Sequence, residues 1–206
     1  MSLLFGDDFT EHSEFSEGTS FNLCGLFYGS TNLIDASNLI LPALNCYTSC
    51  YNGMFRNATN LQHGPKILPG LLLYQDAYSS MFESCINLEE APIIEATTFE
   101  GGSAAMGRMF CMSRSTKLNT PKLTRGPVLK ALVQTTTCYK EMFKGNGNLV
   151  EITNLSIDRV SGSTENWVLN CGNGTGIFYK NPESTAWGVN DSGVPSGWTI
   201  KNYGEE

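Results

Sequence analysis

The sequence predicts an α/β solenoid: about five stacked repeats, each a short helix followed by a short parallel strand, closed by an irregular β-rich C-terminus. Three observations predict it. An aromatic hydrophobic cluster recurs at Phe27, Phe55, Phe82, Phe110 and Phe143, in steps of 28, 27, 28 and 33 residues. Each cluster is followed by an Asn-Leu pair or a close relative of one. A unit this small cannot bury its own apolar face, so neighbours must stack to do it. The chain accordingly divides into an N-terminal cap over 1–23, repeats over 24–160 and a C-terminal cap over 161–206.

The helix of each repeat is read from four-residue spacing. Cys50 and Met54 are four apart, as are Tyr51 and Phe55. Ala77 with Met81, Tyr78 with Phe82, Cys138 with Met142 and Tyr139 with Phe143 repeat the pattern. Residues four apart share a helix face, so each copy presents one buried side. Ser49, Asp76, Ser103 and Thr137 precede these segments and suit the N-cap position. Gly53 and Gly107 inside them imply short helices held by stacking rather than by propensity.

The chain then turns. Asn32, Asn60, Asn87 and Asn148 precede Leu33, Leu61, Leu88 and Leu149, each six residues after its phenylalanine. In the fourth copy the pair reads Lys117-Leu118, with two residues inserted. Asparagine tolerates the left-handed conformation that ends a helix. Its amide can also bond neighbouring backbone, and in stacked copies such amides would form a ladder.

The strand follows as LIDASNL, LQHGPKI, LEEAPII or LVEITNL, apolar at both ends. An even spacing puts both ends on one strand face. Pro65, Pro92 and Pro121 keep these strands short or irregular, because proline cannot donate to a ladder. Asp35, His63, Glu90 and Glu151 fall nominally on the buried face. Burying such groups unpaired is costly, so a local bend is expected to carry them outward. There they form a row on the stacked strands, the candidate ligand-binding site.

After about Ser161 the period is lost and all three tryptophans appear: Trp167, Trp187 and Trp198. A solenoid needs an atypical end to cover its last open coil. The competing reading is an aromatic platform at Trp187 and Trp198 that stacks on sugar faces. At the other end, Phe5, Phe9, Phe15 and Phe21 punctuate an acidic stretch read as a cap over the first coil.

Composition narrows function. The 206 residues are 41% hydrophobic, enough for one long core, and carry a net charge of −7. That charge and the lack of a Lys/Arg cluster argue against nucleic acid. No apolar run approaches the ~20 residues that span a bilayer. The start MSLLFGDDF lacks the pattern of a signal peptide. Seven cysteines cannot all pair, and alanine replaces them at Ala77 and Ala105, which points to small buried residues. Cys46 with Cys50 is the alternative, as a disulfide.

Catalytic patterns are weak. The histidines are His12 and His63 alone, no Gly-x-Ser-x-Gly elbow occurs, and GNGNL and GNGTG lack the lysine of a phosphate-binding loop. Glu89 and Glu90 are sequence neighbours and point to opposite sides of a strand, which weakens a paired-carboxylate mechanism. No cofactor or metal is implied.

The segments CYNGMFRNATNL, AYSSMFESCINL and CYKEMFKGNGNL resemble the BspA-like leucine-rich repeats. There a Met-Phe pair, often with cysteine three residues on, precedes a leucine and a short proline-containing strand. Cys85 matches that cysteine, and Ala58 replaces it in the second copy. The ending NGTGIFYKNPESTAWGVNDSGVPSGWTI resembles the closing segment of such proteins. The copy around Phe110 departs most. The resemblance implies a leucine-rich-repeat solenoid on a bacterial cell surface or a phage particle, acting as an adhesin or virion part. It implies no catalytic residues. The expected function is thus non-catalytic binding of a protein or glycan on a host or neighbouring surface. The alternatives are a structural decoration or spacer that makes contact through its termini, and a glycan-active hydrolase.

Overall fold

A computed structural model describes residues 23–101, 104–112, 121–184 and 187–205. The expected readings at Phe5, Phe9, His12, Phe15, Phe21, Ser103, Lys117 and Leu118 lie outside the described residues.

The molecule is a parallel β-solenoid of about six turns. Its described strands are β1 (Asn45–Cys46), β2 (Ile67–Leu68), β3 (Leu72–Leu73), β4 (Ile93–Ile94), β5 (Thr98–Phe99), β6 (Arg125–Leu129), β7 (Glu151–Asn154), β8 (Ile177–Lys180) and β9 (Thr199–Asn202). Every strand pair is parallel. One wall holds β2 and β4, then β6–β7–β8–β9, with β4 beside β6. A second wall holds β1–β3–β5.

The expected helices are absent from the described residues, and this corrects the α/β class. In their place each turn carries a ribbon of tight turns with a four-residue repeat. Left-handed backbone recurs at Ser49, Gly53 and Asn57, then at Asp76, Ser80 and Ser84, then at Thr137, Glu141 and Gly145. Between these residues N–H groups alternate in direction. Asn52, Met54 and Arg56 donate three residues back, to Ser49, Tyr51 and Gly53. Tyr51, Gly53 and Phe55 donate to the next turn, at Ala77, Ser79 and Met81. Such a ribbon cannot also hold the bonds to the fourth residue back that define an α-helix. Ser49, Asp76 and Thr137 are therefore not N-caps but the first left-handed residues of their ribbons.

The four-residue spacing still buries one side. Phe27, Phe55, Phe82, Phe110 and Phe143 form a continuous stack, with ring centroids 5.3, 5.4, 5.6 and 5.8 Å apart and planes within 11°. Tyr51 and Tyr78 stack beside it at 5.7 Å. Such offset contacts add ~0.5–1.5 kcal/mol per pair beyond simple burial.

The asparagines of the Asn-Leu pairs do form a ladder, though not with each other. Asn60 Nδ2 donates to the Thr31 carbonyl, Asn87 Nδ2 to Thr59 and Asn148 Nδ2 to Pro121, each at 2.8 Å. None of the three is left-handed. In the fourth turn the buried leucine is Leu123, in LTRGPVL, and Pro127 rather than Pro121 stands in the strand. The insertion after Phe110 is thus longer than the sequence spacing implied.

The stack continues past Ser161. Phe143 N–H donates to the Trp167 carbonyl, and left-handed residues recur at Gly162, Asn166 and Asn170. Val168 follows in the phenylalanine position and Trp167 in the methionine position. β8 and β9 then extend the ladder of β7.

Candidate functional site

The predicted row sits where the chain leaves the Asn-Leu turn and enters the first wall. Leu61, Leu88 and Leu149 are buried, yet two residues later Glu90 is exposed and His63 and Glu151 are half-buried. Asp35 is exposed as well. The expected bend accounts for this. Gln62 and His63 N–H both donate to the Ile34 carbonyl, at 2.8 and 3.3 Å, so the chain rotates between Leu61 and His63. Residues two apart then no longer share a face.

Asp35 and His63 are cross-strand partners in a parallel bridge. His63 and Glu90 line one open depression of about 410 Å³ with Ser37, Lys66 and Ile93. Three of the four predicted residues are thereby gathered on the wall of the first three turns. Ser37 N–H donates to Asp35 Oδ1 at 2.7 Å. That bond and the Ser37 hydroxyl hold the Asp35 carboxyl below its ordinary pKa, with smaller contributions from His63 and Lys66. Glu151 lies two turns further on, beside Arg125 at 3.8 Å and in register with it.

Arg125 is the residue that sequence reasoning missed. It occupies the row position of the fourth turn, two residues after Leu123 as Glu90 stands two after Leu88. The signal was the string LTRGPVL, which parallels LQHGPKI.

Beside the row the wall is apolar. Ile40, Ile67 and Ile93 are 60%, 50% and 54% exposed. Ile67 and Ile93 are paired in the ladder, and Ile40 lines a smaller depression with Ile67, Lys66 and Pro69. A contiguous run of exposed isoleucines marks a contact surface more often than scattered ones do.

The tryptophan platform fails on burial. Trp187 is 5% exposed and Trp198 7%. Trp187 stacks on Trp167 at 5.5 Å and packs against Phe178 at 4.7 Å, so neither ring offers a free face to a sugar. The seven cysteines are free thiols, Cys46 and Cys50 among them. Among the described residues no three His, Cys, Asp or Glu converge as a metal site requires, and no helix is long and apolar enough to cross a membrane.

No family model, no curated protein and no solved structure matches this chain.

Proposed function

We infer that the chain is a non-catalytic binding module, displayed on a cell surface or a phage particle, that captures a protein or glycan. The capture surface is the wall of the first three turns. One observation carries this reading: His63 and Glu90 line an open depression, Asp35 pairs with His63 in the neighbouring turn, and the exposed Ile40–Ile67–Ile93 run lies beside them. Polar groups that fix orientation next to apolar area that supplies affinity is the usual composition of a recognition site.

The test replaces Asp35, His63, Glu90 and Glu151 by alanine together. Capture on protein and glycan arrays is expected to fall at least about tenfold, while circular dichroism stays unchanged and the thermal midpoint, losing the Asp35–Ser37 bond, falls only slightly. Undiminished capture by the quadruple variant refutes the assignment.

A second reading, a structural decoration or spacer, has its own support. The carbonyls of Cys24, Leu26 and Tyr28 form an acceptor edge with no donor among the described residues. Cross-linking of intact particles separates the two readings. Contacts confined to residues before Cys24 or after Ser161 favour the spacer.

A further inference from the structure

The closing end of the ribbon carries groups that the first three turns do not use. We propose that it binds a carboxylate monoanion between the Arg159 guanidinium and the backbone N–H groups of Gly162 and Thr164. This site is independent of the reading above.

The argument starts from hydrogen-bond direction. In the ribbon every bond between turns runs one way, from an N–H to a carbonyl of the following turn. The last turn therefore ends in a row of N–H donors. The loop 190–193 caps part of that row. Asn166 N–H donates to Ser192 Oγ at 3.0 Å and Val168 N–H to the Asp191 carbonyl at 3.1 Å. Thr164 belongs to the same row, and its N–H meets no acceptor among the described residues although Thr164 is only 2% exposed. A buried amide without a partner is uncommon and costly. Gly162, two residues earlier, also has no acceptor among the described residues.

Arg159 adds a fixed positive charge at this end. Its guanidinium carbon lies 4.4 Å from the centre of the Trp187 ring. Nη2 donates to Thr164 Oγ1 at 2.9 Å and to the Ser192 carbonyl at 2.8 Å. Nε and Nη1 are uncommitted among the described residues. Seven other Lys and Arg side chains stand within ion-pair distance of a carboxylate, whereas Arg159 meets none among the described residues. The residue is exposed overall, and desolvation of the part over Trp187 lowers its pKa. The aligned N–H groups add positive potential, as they do at a helix N-terminus. Arg159, Ser161, Gly162, Thr164, Glu165 and Ser192 enclose an open depression of about 530 Å³.

The chemistry selects a carboxylate. One carboxylate oxygen accepts from the guanidinium through Nε or Nη1, which leave it on different edges, and the other accepts from the ribbon N–H groups. Glu165 stands at the rim, ion-paired to Lys140 at 3.0 Å, and its charge disfavours a dianion.

Trp187 beneath the guanidinium reports occupancy. Acetate, glucuronate, glucose and inorganic phosphate are titrated into the full chain at pH 7.5, by tryptophan fluorescence and by calorimetry. Acetate and glucuronate are expected to bind saturably, and glucose not to bind. Arg159→Gln should weaken glucuronate at least about tenfold, with circular dichroism unchanged. Arg159→Lys, which keeps the charge and loses the planar group over Trp187, should fall between. Equal affinity in Arg159→Gln overturns the site, as does glucose binding like glucuronate or phosphate binding more tightly than acetate. If Arg159→Gln does not fold, undiminished glucuronate affinity in Arg159→Lys overturns it.

Discussion

Cys85 Sγ donates to the Phe55 carbonyl at 3.0 Å, and Asn146 Nδ2 donates to the Phe110 carbonyl from the equivalent position, three residues after its own phenylalanine. A side-chain donor is what that position uses, and the thiol is one that also packs as a small hydrophobe. Burial pushes the Cys85, Cys138 and Cys171 thiols up to about 12 and Cys111 to about 11. Only thiolates alkylate readily. Iodoacetamide at pH 8, followed by intact mass, should therefore label the exposed Cys24 alone in the folded protein, and all seven after denaturation. Rapid labelling of Cys85 or Cys138 in the folded chain would show that these positions open.

Glu83 is the other instructive residue. Its side chain is 1% exposed and lies between Arg56 at 3.3 Å and Arg108 at 2.8 Å, and Arg108 also pairs with Glu141. Glu83→Gln leaves two arginines facing each other without the central anion. Both arginines are over a third exposed, so the expected loss is on the order of 2 kcal/mol, below that of a fully buried pair. Acid should act in the same direction. Burial raises the Glu141 carboxyl, but Lys144 and Arg108 outweigh it and leave its pKa below the ordinary value. A depressed carboxylate stabilises the fold above its unfolded pKa, and that stability is lost as pH falls through the folded value. Asp35 is depressed too, whereas burial raises Asp76, whose protonation offsets a little of the loss. Urea midpoints should drop below about pH 4 in the native chain.

At the scale of the element, the sequence carried the ribbon's burial but not its backbone. Cys50 with Met54 and Tyr51 with Phe55 do share a buried side, as a helix would place them. A spacing of four fits a helix of 3.6 residues per turn and a ribbon of four-residue turns alike over so short a run. The discriminating signal was the third residue type, Ser49, Gly53 and Asn57 at the same spacing. These side chains suit left-handed backbone. Thr137, Glu141 and Arg108 fill that position in other turns and hide the pattern. The row at Asp35, His63 and Glu90 was legible because charges at apolar strand positions demand a bend. Arg125 was not, because the long insertion made Leu118 look like the repeat leucine. Gly53 turns the ambiguity into a measurement. In a helix Gly53→Ala would stabilise by ~1 kcal/mol. In the ribbon Gly53 has φ +56°, and an added Cβ has space, its nearest neighbour being 3.7 Å away. Conformation alone then decides, and the change should destabilise by ~1–2 kcal/mol. Chemical denaturation gives the sign.

For the whole molecule, the ribbon's one-way hydrogen bonds make its two ends unlike. Carbonyls of Cys24, Leu26 and Tyr28 face the N-terminal side, and donors of Asn166 and Val168 face the C-terminal side under the loop 190–193. Two copies cannot join through this ribbon as a symmetric pair, because carbonyl would meet carbonyl or donor would meet donor. Joining head to tail satisfies both edges, and a contact between unlike surfaces propagates unless the rotation closes. The loop is therefore a stop as well as a cover. Deleting residues 190–205 uncovers the donors of the sixth turn and the edge of β8, which β9 otherwise pairs. The truncated chain is expected to form oligomers that lengthen with concentration in sedimentation velocity, while the intact chain keeps a fixed size. A truncated chain that stays monomeric at every concentration would contradict the argument that the loop acts as a stop.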